Sequence, residues 1–314
     1  MADQRLILDA GPFRVGLRTG EAQLLETVAY FYGDGVRHRG PAVLDFDIRL
    51  SRPFGLRRWL RPQIVFRVDG RRPFAAQPLE NAFPMYEWGL NWCIATTAHR
   101  YLMLHAGSVA FGDHAMILPG MPGSGKSTLS AALNLDGARL LSDEFGLVKP
   151  ESGDMLAMPR GIPLKNASIE AILEFDPEAP LGPTYPKTRK GRVRHLRPDR
   201  ASQAMSEVPA RPRWLVFPQY EAGASEVLST LARNEAFRRL AFNCFNYKLL
   251  GETAFRAIAT IVHEVEAYGG VLAHKPRVTV LNKVDALLDE EVEIVRGVTF
   301  VDVGSVEYEF GDLF

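Results

Sequence analysis

Short alternations of apolar and polar residues run through the first 85 residues, each cut off by Pro or Gly. Leu44-Asp45-Phe46-Asp47-Ile48-Arg49-Leu50 and Gln63-Ile64-Val65-Phe66-Arg67-Val68 carry the two-residue period of half-buried strands. Asp69-Gly70, directly after the second run, is a tight-turn signal. The segment reads as β-rich and irregular. From Tyr86 to Tyr101 the apolar spacing becomes helical. Leu104 to Phe111 and His114 to Leu118 then read as strands joined at Gly112-Asp113. Ala138-Arg139-Leu140-Leu141-Ser142 is a further short strand ending in Asp143-Glu144, and Met155 to Arg160 reads as extended. Leu164 to Phe175 predicts a helix capped by Asn166 or Ser168. Residues 176–186, rich in Pro and Gly, predict a loop. Arg192 to Leu196 and Arg213 to Phe217 predict strands. Glu226 to Tyr268 predicts a helical stretch with Leu228, Leu231, Phe237, Leu240, Phe245 and Ile258 on core faces. A β-like segment and an acidic tail close the chain.

The resulting expectation is an α/β protein in three parts: a β-rich N-terminal domain over 1–95, a core over 96–275, and a strand plus acidic tail over 276–314. Composition supports a folded chain, since 46% hydrophobic and 24% charged residues lie close to the globular average. Lys and Arg together equal Asp and Glu at 37 each, so no global charge draws the chain to nucleic acid or an anionic membrane. Arg52, Arg57, Arg58 and Arg61 around Trp59 read as a solvated loop. Cys93 and Cys244 sit among apolar neighbours, which predicts buried free thiols in a reducing compartment. Met1-Ala2-Asp3-Gln4-Arg5 lacks a signal-peptide profile and no apolar run reaches spanning length, so a soluble cytoplasmic protein is expected.

The chemistry concentrates in Gly120-Met121-Pro122-Gly123-Ser124-Gly125-Lys126-Ser127-Thr128. This run has the form of a phosphate-binding loop. It follows the apolar strand Ala115-Met116-Ile117-Leu118 and precedes the helical Leu129-Ser130-Ala131-Ala132-Leu133. Gly120, Gly123 and Gly125 would let backbone N–H groups converge on phosphate oxygens, with Ser124 and Thr128 completing the loop. Lys126 would reach the β- and γ-phosphates, and the Ser127 hydroxyl would ligate Mg²⁺. A nucleoside triphosphate is the expected ligand. Seventeen residues beyond Lys126, Asp143 and Glu144 close a strand where one carboxylate could hold the metal and another could accept a proton. Phosphoryl transfer also needs cations for the equatorial oxygens. Arg160, Lys165 and the cluster Lys187, Arg189, Lys190, Arg192, Arg194 and Arg197 compete for that role, with Lys165 the leading candidate. His105 is either a hydrogen-bonded strand residue or a contact to the γ-phosphate or acceptor.

Several of these segments resemble a known family. His105-Ala106-Gly107-Ser108, the loop, and Arg139-Leu140-Leu141-Ser142-Asp143-Glu144 look like HPr kinase/phosphorylase. Closer still, Glu87-Trp88-Gly89-Leu90-Asn91-Trp92-Cys93, Leu164-Lys165-Asn166, Lys190-Gly191 and Phe242-Asn243-Cys244-Phe245-Asn246-Tyr247 resemble the HPr kinase-related kinase A family, over roughly residues 10 to 265. The resemblance implies the compact P-loop kinase fold of the HPr kinase C-terminal domain, shared with phosphoenolpyruvate carboxykinase. It implies ATP with Mg²⁺ as donor, and a hydroxyl, serine above all, in a small protein or peptide as acceptor. The family's proton-accepting aspartate falls on Asp143, and its second aspartate on Glu144, which keeps the charge and adds one methylene. The loop aspartate of HPr kinase falls on Met121, so the reverse, phosphorylase reaction is not implied. Arg160-Gly161 matches the signature arginine-glycine pair at a different spacing. By analogy, a small peptide-binding partner of the PqqD type enters as a candidate. HPr kinases form hexamers, and a homo-oligomer stays open here.

Two other readings remain. Val278-Thr279-Val280-Leu281-Asn282-Lys283-Val284-Asp285 resembles the guanine-specificity motif of GTPases, and Asp143-Glu144-Phe145-Gly146 mimics their Asp-x-x-Gly element. That element normally lies farther from the phosphate loop, beyond a switch segment lacking here. The second is a non-catalytic module that positions a partner in response to nucleotide.

Overall fold

The computed structural model describes residues 4–37, 43–55, 60–221, 224 and 227–272. The expected C-terminal part, with Asn282-Lys283-Val284-Asp285, lies outside the described residues, as do Arg57, Arg58 and Trp59. The first part of the chain forms a mixed sheet. Its elements are β1 (Gln4–Ala10), β2 (Phe13–Thr19), helix α1 (Ala22–Tyr32), β3 (Val36–Arg37), β4 (Phe46–Ser51), β5 (Gln63–Val68) and β6 (Gln77–Pro78). The strand order is β3-β1-β2-β4-β5-β6, with β2 and β4 parallel across the α1 connection. The sequence alternation is realised in β4, where Phe46, Ile48 and Leu50 are buried. Asp69 and Gly70 take φ of 49° and 78°, and Val68 and Arg71 exchange both backbone hydrogen bonds across them.

The β-rich reading of this part omitted α1. Leu24, Val28, Phe31 and Tyr32 are its buried stripe at helical spacing. The signal was masked because Thr27, Val28, Tyr30, Phe31 and Tyr32 are strand-favouring residue types. Helix α2 (Ala82–Thr97) packs on β4 and β5, starting four residues before the expected Tyr86. Gly89 sits at its closest approach to the sheet: a Cβ there would lie 2.0 Å from the Phe66 ring. The helix can rest directly on Phe66 only because position 89 carries no side chain.

The second part continues with β7 (Leu102–Leu104), β8 (Ala106–Phe111), β9 (His114–Pro119), α3 (Lys126–Leu135), β10 (Arg139–Ser142), β11 (Gly146–Val148), β12 (Met155–Leu156), β13 (Ile162–Lys165) and α4 (Ala167–Phe175). It ends with β14 (Tyr185–Thr188), β15 (Gly191–Leu196), α5 (Arg200–Ala204), β16 (Arg211–Tyr220), β17 (Val227–Thr230), α6 (Arg233–Phe242), α7 (Tyr247–Leu250), α8 (Glu252–Glu264) and β18 (Glu266–Leu272). The central sheet has the order β10-β8-β9-β16-β18-β17. Met116 and Leu118 of β9 join one apolar cluster with Leu129, Leu133, Ile162, Leu164 and Ile172, whereas Ala115 and Ile117 join another with Leu240, Ile258 and Ile261. Helices therefore cover both faces, which is why residues 115–118 are continuously apolar rather than alternating. Two three-stranded sheets, β12-β11-β7 and β13-β15-β14, flank this core. The protein is mixed α/β, as expected. Among the described residues no helix is long and apolar enough to cross a membrane.

Two stretches depart from the expected elements. Residues 226–268 are not continuously helical: β17 precedes the three helices and β18 follows them, and the two strands pair antiparallel over Val227–Thr230. A strand partner distant in sequence decides their conformation, and short-range spacing carries no trace of it. Likewise Leu164 and Lys165 end β13 instead of opening a helix, and α4 starts at Ala167. Asn166 precedes that helix with φ of 50° and caps nothing with its side chain, while Ser168 Oγ bonds both the N–H and the carbonyl of Lys165. Between Met155 and Arg160 only Met155 and Leu156 are in a strand.

The expected division at residue 95 falls near the end of α2, but the N-terminal apolar cluster runs on through Met103, Phe145, Leu147, Met158, Tyr185 and Val193. A buried polar network crosses the same line. Glu87 of α2 accepts from Tyr32 at 2.9 Å and from Arg160 at 3.0 Å, and Arg160 also donates to Asn91. Burial raises the Glu87 carboxyl pKa while Arg160 opposes the rise. Burial likewise works against the Arg160 charge, but Glu87, Tyr32 and Tyr86 together outweigh it and raise its pKa. Arg160→Ala strands a buried carboxylate and is expected to cost about 3–5 kcal/mol in urea unfolding. An Arg160→Met, Glu87→Met double variant is expected to recover most of that loss.

Candidate functional site

β9 and β10 both pair antiparallel with β8, so they point the same way and their C-terminal ends share one edge of the sheet. The glycine-rich loop leaves β9 at that edge, and Asp143-Glu144 follows β10 there. His105 stands at the entrance to β8, where Ala106 pairs with Pro119. One end of the sheet thus gathers three of the segments singled out in the sequence.

The loop has the backbone that its glycines predict. Gly123 and Gly125 adopt φ of 87° and 92°. Ser124 N–H donates to the Met121 carbonyl at 3.1 Å, and Tyr220 N–H of β16 donates to the Ser124 carbonyl at 3.1 Å. Helix α3 begins at Lys126 with Gly125 as its cap residue, and no side chain caps its first turn. Its leading N–H groups and dipole are therefore available to an anion. Ser124 Oγ is buried without a hydrogen-bond partner. Close packing brings α3 onto β8: a Cβ on Gly107 would lie 2.2 Å from Ser130 Oγ and 3.4 Å from Asp143 Oδ1. Glycine at 107 is what allows helix, strand and carboxylate to meet.

Asp143 is buried, and neither carboxylate oxygen has a hydrogen-bond partner. Burial and the neighbouring Glu144 push its pKa up to about 6, while Lys126, the Ser127 hydroxyl and Lys165 pull the other way. Glu144 is half-buried. Burial works against its charge, but Lys165, Lys126, His105 and Lys190 outweigh that and bring it down to about 2. Lys126 is buried and its pKa is lowered by burial, with Glu144 and Asp143 opposing. His105 is lowered to about 4 by burial and by Lys126, so its ring is neutral at pH 7. The structure thus brings together Lys126, Ser127, Asp143, Glu144, Lys165 and His105.

Two segments noted separately in the sequence, Leu164-Lys165-Asn166 and Lys190-Gly191, are clasped to one another. Asn166 N–H donates to the Arg192 carbonyl at 2.9 Å, Arg192 N–H donates to Asn166 Oδ1 at 3.1 Å, and Asn166 Nδ2 donates to the Lys190 carbonyl at 3.4 Å. The clasp ties the end of β13 to the turn between β14 and β15. Lys190, lowered to about 8 by burial and by Lys165 and Lys126, joins the cations that act on Glu144. The sequence does not single out Lys190 within the cluster of six, because a hairpin turn held by a distant asparagine has no local signature. The others are placed elsewhere. Arg192 pairs with Glu170, Arg194 donates to the carbonyls of Gly182 and Leu181, and Arg197 lies over the Tyr30 ring. Lys187 and Arg189 are exposed. Arg160 is engaged by Glu87 and Asn91 in the buried network.

The Phe242–Tyr247 segment secures the far wall. His105 N–H donates to the Asn243 carbonyl at 2.6 Å, and Asn246 accepts from Met103 N–H at 3.0 Å and donates to the Tyr101 carbonyl at 2.8 Å. The Phe245 ring lies 5.3 Å from His105 and 5.0 Å from Phe145. Both cysteines are free thiols, Cys93 buried and Cys244 half-buried, each with its pKa raised by burial.

No known family model matches the chain. The chemistry is therefore read from the site. Three ammonium groups and an open helix N-terminus surround two carboxylates and unpartnered oxygens of Ser124 and Asp143, a donor set suited to a polyanion carrying a divalent cation. Asp143 also has a stability consequence. Its folded pKa stands above the unfolded value, so the native state holds the proton more tightly, and stability is lost as pH rises from about 4 through 6. Asp143→Asn removes that penalty. Without ligand, its melting temperature is expected to exceed the wild type's at pH 7.5, and the gap to close at pH 4.

Proposed function

We propose that the protein is an ATP- and Mg²⁺-dependent kinase that transfers the γ-phosphoryl group to a hydroxyl of a small protein or peptide, serine being the favoured acceptor. The observation that carries this reading is the buried, unpartnered Asp143 carboxylate beside Lys126 and Ser127, with a pKa near 6. A carboxylate so placed is ionised at pH 7 yet basic enough to accept a proton from an attacking hydroxyl. The resemblance to the HPr kinase-related kinase A family supports the same assignment, and with it the P-loop kinase fold of the central core.

In this mechanism the loop N–H groups of residues 120–128 and Lys126 hold the β- and γ-phosphates. Ser127 and Glu144 would hold Mg²⁺, which when bound would supply positive charge to the triphosphate. Glu144 stays ionised throughout because its lysine neighbours hold it so. Asp143 Oδ takes the acceptor's proton as the hydroxyl oxygen bonds to the γ-phosphorus and the bond to the β-phosphate oxygen breaks. Lys165 and Lys190 offset the negative charge on the equatorial oxygens. Arg160, tied to Glu87, supports β13 from its start and acts through the position of Lys165. Neutral His105 lines the same end of the sheet, where it would meet the acceptor. The acceptor partner, including a PqqD-like carrier, is proposed by analogy alone.

Incubation with γ-labelled ATP and candidate peptides tests the reading: labelled peptide is expected, and nucleotide binding without label in any acceptor would favour a binding module. Asp143→Asn is expected to lower turnover about 10²–10⁴-fold with ATP affinity kept. Lys165→Met is expected to cost roughly 10²-fold in kcat with little change in the Kd for ATP. kcat/KM is expected to fall below pH about 6, following the free-enzyme ionisation of Asp143. Parallel ATP and GTP titrations address the Asn282-Lys283-Val284-Asp285 motif; a strong preference for GTP would replace the kinase by a GTPase.

A further inference from the structure

Strand order puts the acidic pair, His105 and the lysines that act on the pair on the β8 and β10 flank of the loop. Glu144 and Asp143 follow β10, His105 precedes β8, and Lys165 and Lys190 act on Glu144. The opposite flank of β9 is formed by β16, which runs parallel to it and beyond its end, tracking the loop backbone. The Pro218 carbonyl lies 3.8 Å from where a Cβ on Gly120 would be. Tyr220 N–H holds the Ser124 carbonyl, and Tyr220 Cβ lies 3.5 Å from the corresponding position on Gly125. The Tyr220 side chain is nonetheless 47% exposed. It is a large aromatic fixed at its backbone to the loop and left open to solvent beside it.

A triphosphate has two ends. If its terminal phosphate is drawn to the lysines and the acidic pair, its nucleoside must leave the loop on the β16 flank. We infer that Tyr220 is the platform on which the nucleotide base stacks. The inference rests on the proposed reading of residues 120–128 as a triphosphate site and adds the direction in which the nucleotide lies. An aromatic face offers every base a π-surface at low entropic cost, because the Tyr220 backbone is already pinned by its bond to Ser124. Stacking asks nothing of the catalytic flank, so base binding and phosphoryl transfer are served by different strands.

Calorimetric titration of the full chain with inorganic tripolyphosphate and with the β,γ-imido analogue of ATP, each with Mg²⁺, separates base from phosphate. Wild type is expected to bind both, the nucleotide more tightly. Tyr220→Ala is expected to weaken the nucleotide roughly tenfold and leave tripolyphosphate within about twofold, while Tyr220→Phe and Tyr220→Trp keep nucleotide affinity. The ring is half exposed, so thermal melts of all three variants should match wild type. Equal weakening of both ligands by Tyr220→Ala, or no weakening of either, would overturn the platform and leave the phosphate site standing. If wild type binds neither ligand, the phosphate site itself fails and the platform falls with it.

Discussion

Two adjacent carboxylates cannot both stay ionised inside a protein unless cations balance them, and this chain places Asp143 and Glu144 side by side at the end of a buried strand. The balance comes from three separate stretches of sequence: Lys126 opens α3, Lys165 ends β13, and Lys190 sits in the turn after β14. Their fields divide the pair. Glu144 is held as an anion, and Asp143, deeper and without a hydrogen bond, becomes the weaker acid. Most of the surrounding architecture serves to keep these five groups at one end of one sheet.

The support for that arrangement is layered. Gly107 lets Ser130 of α3 approach β8 closely beside the Asp143 carboxylate. Asn166 joins the strand that carries Lys165 to the turn that carries Lys190. Arg160, at the approach to β13, is bonded into α2 through Glu87 and Asn91, so the N-terminal part and the core share one buried network. The Phe242–Tyr247 segment pins His105 and β7 from the other side. Each of these contacts joins residues far apart in sequence. The N-terminal part thus braces the core through α2, and its apolar cluster takes in Met103, Phe145, Met158 and Val193 from the second part.

Much of this was legible in the residues. The strand–loop–helix around residues 120–128, the strand ending at Asp143-Glu144 and the Asp69-Gly70 turn were all readable because their signals are local: glycines in sequence, unbroken apolar runs, a two-residue turn. Helix α1 was not, since strand-favouring residue types cover its helical spacing. Strands β17 and β18 were not, since each owes its conformation to the other. Within the site, Lys126 and Lys165 stood out by motif, but Lys190 did not, because only folding sets it against Glu144. Arg160 was named as a competing cation; the structure shows its charge engaged by Glu87.

The proposed kinase needs a triphosphate lying along residues 120–128 with its outermost phosphorus toward Asp143. A crystal structure of the chain with a non-hydrolysable ATP analogue and Mg²⁺ tests it most directly. The γ-phosphate is expected among Lys126, Lys165 and Lys190, with Asp143 facing the side from which an acceptor would approach. An analogue bound with its base against Asp143 and its terminal phosphate on the β16 flank, or bound away from the loop, would contradict it.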